Sequence, residues 1–381
     1  MSDYSQIVPI ANMIAKKYDL CDYCLGRLFS KQLRLSSNRL LGKKLKNDLD
    51  SEGKCYICKN LFDNLDHFLK LMLDVSSDYR FNTFNVGAMI KPSIVDRDDF
   101  IRSEFQLKGI DSIKADITKE LGRSYYRKTK KRIDHLDPEI TFTLNLKDES
   151  CQLRSKPVTV SGRYVKSERG FPQKQKSCEN CFGKGCRVCN FHGISEFESV
   201  EGVISKLVFK KFGGSTAKFT WIGGEDKSSL VLGSGRPFFV KIQNPHKRKS
   251  KLSDITIGSI KLYNLKLVNE SPKMPVKFNS TIRAKISTKS EVDSKILGKL
   301  KILKSNHVAV YEKSGKRSEK KVFDVKYKKD SKCLFTFTVK TEGGLPIKRF
   351  VTGDDVAPNV SKILEIPCVC TEFDFLDIEV Q

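Results

Sequence analysis

No apolar run in this chain of 381 residues approaches the roughly 20 needed to cross a bilayer. The opening "MSDYSQIVPIANMIAKKYDL" lacks a basic start followed by a continuous apolar block, so no secretory leader is expected. These absences predict an intracellular chain with no membrane partner. There is no G-x-x-x-x-G-K-[ST] phosphate cradle and no G-x-S-x-G elbow. "VGAMI" offers one glycine and no acidic partner spaced for a nucleotide, so an adenosine-type cofactor has no support. The five histidines, His67, His135, His192, His246 and His307, stand far apart in unrelated contexts. That pattern supports neither a histidine-centred metal site nor a proton relay, and the ligand-plus-glutamate motif of zinc deaminases is missing too. No repeat, coiled coil or low-complexity tail is visible.

Acid is scarce as well. The 45 Asp and Glu face 70 Lys and Arg, a formal +25. Such a surplus speaks of partners and solubility, not of fold. Nucleic acid is the economical partner, because each neutralised phosphate releases a counterion. A membrane surface or a merely basic proteome is the blander source. Cysteine, by contrast, is plentiful at twelve residues, eight of them in four C-x-x-C pairs. Inside a cell this is metal-ligand spacing, not a disulfide framework.

A chain of this length should hold two to four domains. Residues 1–60 read as helical segments flanking two knuckles, with Cys21, Cys24, Cys55 and Cys58 able to form one four-thiolate zinc site. From 61 to 165 an α+β unit is expected, with helices around "HFLKLMLD" and "FIRSEFQLKGIDSIKADITKELGRSYYRKT" and strands at "RFNTFNVGAMI", "EITFTLNLK" and "SKPVTVSGRY". Its long helix ends in "RKTKKR", which makes Arg127, Lys128, Lys130, Lys131 and Arg132 candidate RNA contacts, or else a solvated helix tail. Residues 166–194 form a polar linker ending in the close-set Cys178, Cys181, Cys186 and Cys189, a compact second zinc knuckle turned by Gly183 and Gly185. His192 is not expected to replace a thiolate there. Cys151, Cys333, Cys368 and Cys370 carry little signal, although Cys368 and Cys370 suit a buried strand. Strands dominate 195–381, with helices near 197–208 and 287–299. The fold class expected is α+β and multidomain, its C-terminal part a mixed, largely antiparallel sheet with a few covering helices.

What remains for chemistry is "FTWIGGEDKSSLVLGSGRPFF", where Glu225 and Asp226 follow Gly223 and Gly224. Such a turn gives a substrate room to approach the backbone. It equally suits an acidic loop capping the next element. Downstream, Arg236, Asn244, Lys247 and Arg248 add cations and polar groups, and Lys348 and Arg349 follow another glycine pair in "TEGGLPIKRFVTGDD". A carboxylate near cations and stackable rings suits a nucleotide extracted from folded RNA. The residues alone lead to an RNA-binding protein with two zinc sites and one candidate reactive carboxylate.

Six stretches in this order resemble the archaeal and eukaryotic tRNA pseudouridine synthases that modify T-arm uridines 54 and 55. They are "CDYCLGRLF", "GRYVKSERGFPQ", "CFGKGCRVCNFHG", "FTWIGGED", "LGSGRPFFVKIQNPHKR" and "TEGGLPIKRFVTGD", and they span nearly the whole chain. The resemblance implies a cysteine zinc segment at 1–60, a THUMP-like tRNA-binding domain at 61–165 and a pseudouridine synthase domain at 195–381. It implies an archaeal-type isomerase with tRNA as partner, structural zinc and no organic cofactor. A monomer without an obligate protein partner is expected. The family's catalytic stretch, G-R-E-D-V-D-V-R, falls without a gap on Gly223 to Leu230 and puts the essential aspartate on Asp226. The charged neighbours of that motif are replaced here by Gly224, Ser228 and Leu230. The family's tyrosine strand corresponds to "STIRAKI", which puts Ile282 where a ring would meet the base, and Lys348 or Arg349 is left to supply a cation. Those departures leave a second reading beside the active enzyme, a weak or inactive homologue that binds or chaperones tRNA.

Overall fold

The computed structural model describes residues 4–33, 37–46, 53–108, 110–312 and 314–381. It divides into two units, Met1–Lys156 and Pro157–Gln381.

In the first unit the order is α1 (Tyr4–Lys17), α2 (Asp22–Leu33), α3 (Asn38–Lys46), α4 (Leu65–Ser76), β1 (Thr83–Met89), α5 (Pro92–Glu104), α6 (Ile113–Thr129), β2 (Arg132–Ile133), β3 (Ile140–Asn145) and β4 (Ser150–Ser155). Part of the basic stretch at 38–54 lies outside the described residues, at 47–52. Spacings of three and four bury Ile7, Ala11 and Ile14 on α1, and Ile113, Ile117, Leu121 and Tyr125 on α6. Ser112 caps α6 by accepting from the Ala115 N–H at 3.2 Å. At the other end Lys130 takes a left-handed conformation and returns its N–H to the Tyr126 carbonyl. The sheet order is β2-β1-β3-β4, with β1 parallel to both neighbours and β3 antiparallel to β4. Phe84, Tyr125 and Phe142 meet at its centre, with the Tyr125 centroid 4.8 Å from Phe84 and 5.0 Å from Phe142. Arg27 and Asp98 form a fully buried ion pair, and Arg27 also donates to the Asp111 carbonyl at 2.8 Å.

The second unit runs β5 (Val158–Lys166), α7 (Val200–Phe212), β6 (Ala217–Trp221), β7 (Val231–Ile242), β8 (Ile255–Ile257), β9 (Ile260–Val268), β10 (Phe278–Thr288), α8 (Ser294–Gly298), β11 (His307–Tyr311), β12 (Arg317–Ser331), β13 (Leu334–Glu342), α9 (Ile347–Thr352), β14 (Val356–Ala357), α10 (Val360–Leu364) and β15 (Cys368–Val380). Among the described residues these strands make one 11-stranded sheet in the order β14-β11-β12-β13-β10-β15-β7-β5-β9-β8, with β6 on the flank of β7. The sheet is antiparallel except where β15 meets β7 in parallel at Phe375 and Val231. Ile282, Ala284 and Ile286 on β10 face the core, while Arg283 and Lys285 point away.

Two expectations are corrected. The strand at 158–166, assigned from the sequence to the RNA-binding unit ending at 165, pairs with β7 and β9 in the second unit. Alternation identifies a strand but not its partner. The expected helix at 287–299 shrinks to α8, because β10 runs on to Thr288 and Asp293 starts the helix by capping Ile296. Among the described residues no helix is long and apolar enough to cross a membrane.

Candidate active site

The loop between β6 and β7 carries both carboxylates of the glycine turn, and they face opposite environments. Glu225 is fully buried between two cations, Lys166 Nζ at 3.0 Å from Oε1 and Arg236 Nε at 3.3 Å from Oε2. Both cations also grip the loop's backbone. Arg236 donates to the Ile222 carbonyl at 2.8 Å and the Gly224 carbonyl at 3.2 Å, and Lys166 donates to Asp226's own carbonyl at 3.3 Å. The Arg236 guanidinium lies 4.3 Å from the Phe375 ring centroid. Gly223 has φ +76° here, and a Cβ would stand 2.7 Å from Arg236 Nη1, so the turn admits only glycine at that position. Burial and the Glu225 charge push the Tyr164 hydroxyl well above its usual range.

Asp226 is the outward carboxylate, with its side chain 36% exposed. Its Oδ1 accepts from the Ser228 N–H at 3.1 Å and from the Ser228 and Ser229 hydroxyls at 2.8 Å each. Its Oδ2 accepts from Lys348 Nζ at 2.7 Å, a partner 122 residues away on α9. Partial burial alone would raise this carboxyl, but Lys348 and the two serines outweigh it and hold the group down at about 2. The result is a carboxylate ionised at physiological pH, one oxygen tied into the loop and the other beside a half-exposed ammonium. It can serve as a nucleophile or a base.

The motif departures have physical replacements. Arg169 lies in the linker "RYVKSERGFPQ", donates to the Ser228 carbonyl and pairs with Asp374 at 2.6 Å and Glu372 at 3.2 Å. Asp374 in turn accepts from the Leu230 N–H at 3.1 Å. The backbone positions of Ser228 and Leu230 are therefore held by charges from elsewhere in the chain. Neither Lys166 nor Arg169 was a candidate from the sequence, and Glu225 was singled out there only as one carboxylate of the glycine turn. The only signal was their place inside the two matched motifs.

Three assigned residues stand elsewhere. Arg236, read as an RNA contact, is fully buried as the loop's clamp. Arg349 turns from Asp226 to the carbonyls of Asp354 and Tyr311, 3.0 and 2.6 Å away, and to the Asp355 carboxylate at 3.1 Å. Ile282 is 2% exposed in the core of the sheet, a packing residue with no free face for a base. Of the remaining cations, Arg127, Lys128, Lys130, Arg132 and Lys247 are exposed, while Lys131 and Arg248 are half-buried.

The cysteines gather as their spacing predicts. Cys21, Cys24, Cys55 and Cys58 form one group and Cys178, Cys181, Cys186 and Cys189 another, each with its sulfurs within 4.8 Å of one another. Neighbouring sulfurs stand 3.6 Å apart at Cys21–Cys58, 3.8 Å at Cys181–Cys189 and 3.7 Å at Cys186–Cys189. A tetrahedral ion with bonds of about 2.3 Å asks for sulfurs about 3.8 Å apart. In the second group backbone N–H groups of Gly185, Cys186 and Gly193 point at sulfur at 3.2 Å, the pattern that stabilises thiolate. Gly185 is needed for this turn, since a Cβ would stand 2.6 Å from the Phe191 carbonyl oxygen. Both groups could hold a metal ion. His192 stays outside, stacked on Phe209 at 4.0 Å with Nδ1 3.0 Å from the Ser215 carbonyl.

Comparison with known proteins gives the same reading. Residues 159–379 match the family model "Pus10, C-terminal" and residues 68–145 match "Pus10 THUMP domain, archaeal". A protein of Nitrosopumilus maritimus named tRNA pseudouridine synthase Pus10 is 65% identical over 381 residues, all of both chains. One of the same name from Cenarchaeum symbiosum is 37% identical, covering 96% of this chain and 90% of its own. With both family models matched and relatives of 65% and 37% identity covered almost in full, the chain belongs to the Pus10 family of tRNA pseudouridine synthases.

Proposed function

We propose that this chain converts uridine to pseudouridine in the T-arm of tRNA, at position 54, 55 or both, with Asp226 as the essential carboxylate. The observation that carries the reading is the Asp226–Lys348 contact of 2.7 Å on an open part of the loop. A carboxylate that is ionised at physiological pH thus meets one of the two cations expected to stand in for the altered motif. The reaction is an isomerisation. The bond from ribose C1′ to uracil N1 breaks, the base turns, C1′ bonds to C5, the C5 proton leaves and N1 gains one. Asp226 acts at C1′, at the base, or by assisting elimination to a glycal, and it begins ionised. Lys348 balances the carboxylate before the step and offers a donor to charge that develops on the base. The clamp of Lys166, Glu225 and Arg236 keeps the loop from reorganising.

The exposed Arg127, Lys128, Lys130 and Arg132 at the end of α6 supply phosphate contacts to the tRNA, so affinity should fall steeply with salt. The two cysteine groups hold zinc as a structural ion, since four thiolates leave no open position. Bound metal of two equivalents, reduced by one in Cys24→Ser and by one in Cys181→Ser, would support this. No metal in the purified full chain would refute it. The protein works as a cytoplasmic monomer.

The functional test incubates the full chain with unmodified tRNA transcript and reads pseudouridine by position. Product confined to 54 and 55 supports the assignment. Firm binding without product supports the inactive homologue instead.

A further inference from the structure

The turn that leads into Asp226 borders a second space, which the reaction as described does not use. Gln173, Lys174, Phe219, Trp221, Gly223 and Gly224 line a cavity of about 390 Å³. That size lies in the range of small-ligand sites, about 300–1,000 Å³. Phe219 and Trp221 alternate on β6 and share a face, their rings stacked at 4.9 Å and 10°. Both are half-buried, so part of the pair meets solvent. Among the described residues β6 pairs with β7 alone, which leaves its outer edge without a strand.

Gln173 is the informative residue. It is only 4% exposed. Its Nε2 donates to the Tyr164 hydroxyl at 3.1 Å and to the Gly223 carbonyl at 3.4 Å. A carbonyl can only accept, so the amide must present its nitrogen on that side. Its Oε1 is thereby turned toward Gly224, 3.8 Å from where a Cβ would stand. With its nitrogen committed to Tyr164 and Gly223, the amide presents Oε1 as an acceptor to whatever occupies the cavity. At the rim, Lys174 is exposed. A stacking surface, one lone acceptor and one cation, all bordering the loop of the candidate carboxylate, describe a nucleotide site.

We propose that this cavity receives a second, unpaired nucleobase of the tRNA, one that bears an exocyclic amino group. The base lies against Phe219 and Trp221, its amino hydrogen goes to Gln173 Oε1, and a flanking phosphate meets Lys174. Uracil fits less well, because its ring N–H is flanked by two carbonyl oxygens that would face the same amide oxygen. The proposal rests on tRNA being the substrate, and it assigns the site a role in holding the T-arm open beside the reacting uridine.

Trp221 is the chain's only tryptophan, so tryptophan emission, excited selectively over that of the eleven tyrosines, reports on this cavity. Titrating the full chain with unmodified tRNA transcript should quench its emission in step with binding measured by gel mobility. Pentacytidylate and pentauridylate share ring size and differ in the C4 amino group and in N3, which carries hydrogen only in uracil. Pentacytidylate should quench with a Kd about three- to tenfold lower, the effect of one hydrogen bond. That ratio should fall to within about twofold in Gln173→Met, and Lys174→Ala should weaken both about equally. The Asp226→Ala protein should quench and discriminate as wild type does, whether or not wild type makes pseudouridine. Failure of the catalytic reading therefore leaves this one standing. Binding of tRNA with Trp221 emission unchanged, or equal affinity for the two pentanucleotides, overturns it.

Discussion

Glu225 and Asp226 are adjacent in sequence and alike in chemistry, yet the fold uses them for opposite purposes. Glu225 points inward, loses all contact with solvent and is balanced by Lys166 and Arg236, which also bind the backbone around it. Asp226 points outward, keeps one oxygen for the loop and shares the other with a half-exposed lysine. A buried ion cluster of this kind adds little net stability over apolar packing, but removing one member leaves charge uncompensated. What it fixes is geometry. The inner carboxylate holds the loop and the outer one faces its open side.

Exchanging the two roles by mutation should give crossed results. Asp226→Asn keeps shape and most hydrogen bonds but removes the charge, so pseudouridine formation should fall by about 1,000-fold or more while melting moves little. Glu225→Gln should do the reverse in stability. It strands two buried cations at a cost of about 3–5 kcal/mol, and calorimetry should show a melting point lower by roughly 10 °C. Residual activity in the folded fraction would then measure how far the clamp serves positioning.

Lys348→Met tests the outer pair and should lower kcat/KM by about 10- to 100-fold. It also moves the pH profile. The Asp226 carboxyl is depressed to about 2 in the folded chain, against about 3.9 unfolded. Its pairing therefore stabilises fully above about pH 4 and is lost as pH falls toward 2. Without Lys348 the acid limb of activity should shift upward toward pH 4, since burial then acts with less opposition. A limb that does not move would detach Lys348 from Asp226. The smallest effect is expected from Arg169→Ala, a few-fold loss in kcat with KM unchanged, as the Ser228 carbonyl loses one of its tethers.

Much of this was legible in the sequence. Residue patterning predicted the strand-rich character of 195–381 and the helix that contains α6, the family resemblance supplied the strand that became β10, and cysteine spacing located both thiolate groups. Asp226 came from motif order, with Lys348 flagged as one of two cations. The rest was hidden for definable reasons. Lys166 looked like one basic residue in a polar linker, because nothing local says that β5 delivers it to a carboxylate 59 residues on. Arg236 next to aromatic residues looked like an RNA contact, because burial is a property of the sheet and not of the local string. Ile282 fell to the core because alternation along β10 buries it with Ser280, Ala284 and Ile286 and turns Arg283 and Lys285 to solvent. Lys348 and Arg349 could not be separated until α9 set their directions, one toward Asp226 and the other toward Asp355.

The central claim is that Asp226, and not its buried neighbour, carries out the chemistry. Its most direct test is a single-turnover reaction with excess full-length protein on unmodified tRNA transcript, wild type beside Asp226→Asn, with pseudouridine read at positions 54 and 55. The expected result is product with wild type and none with Asp226→Asn, at equal tRNA binding. Equal product from both proteins would contradict it.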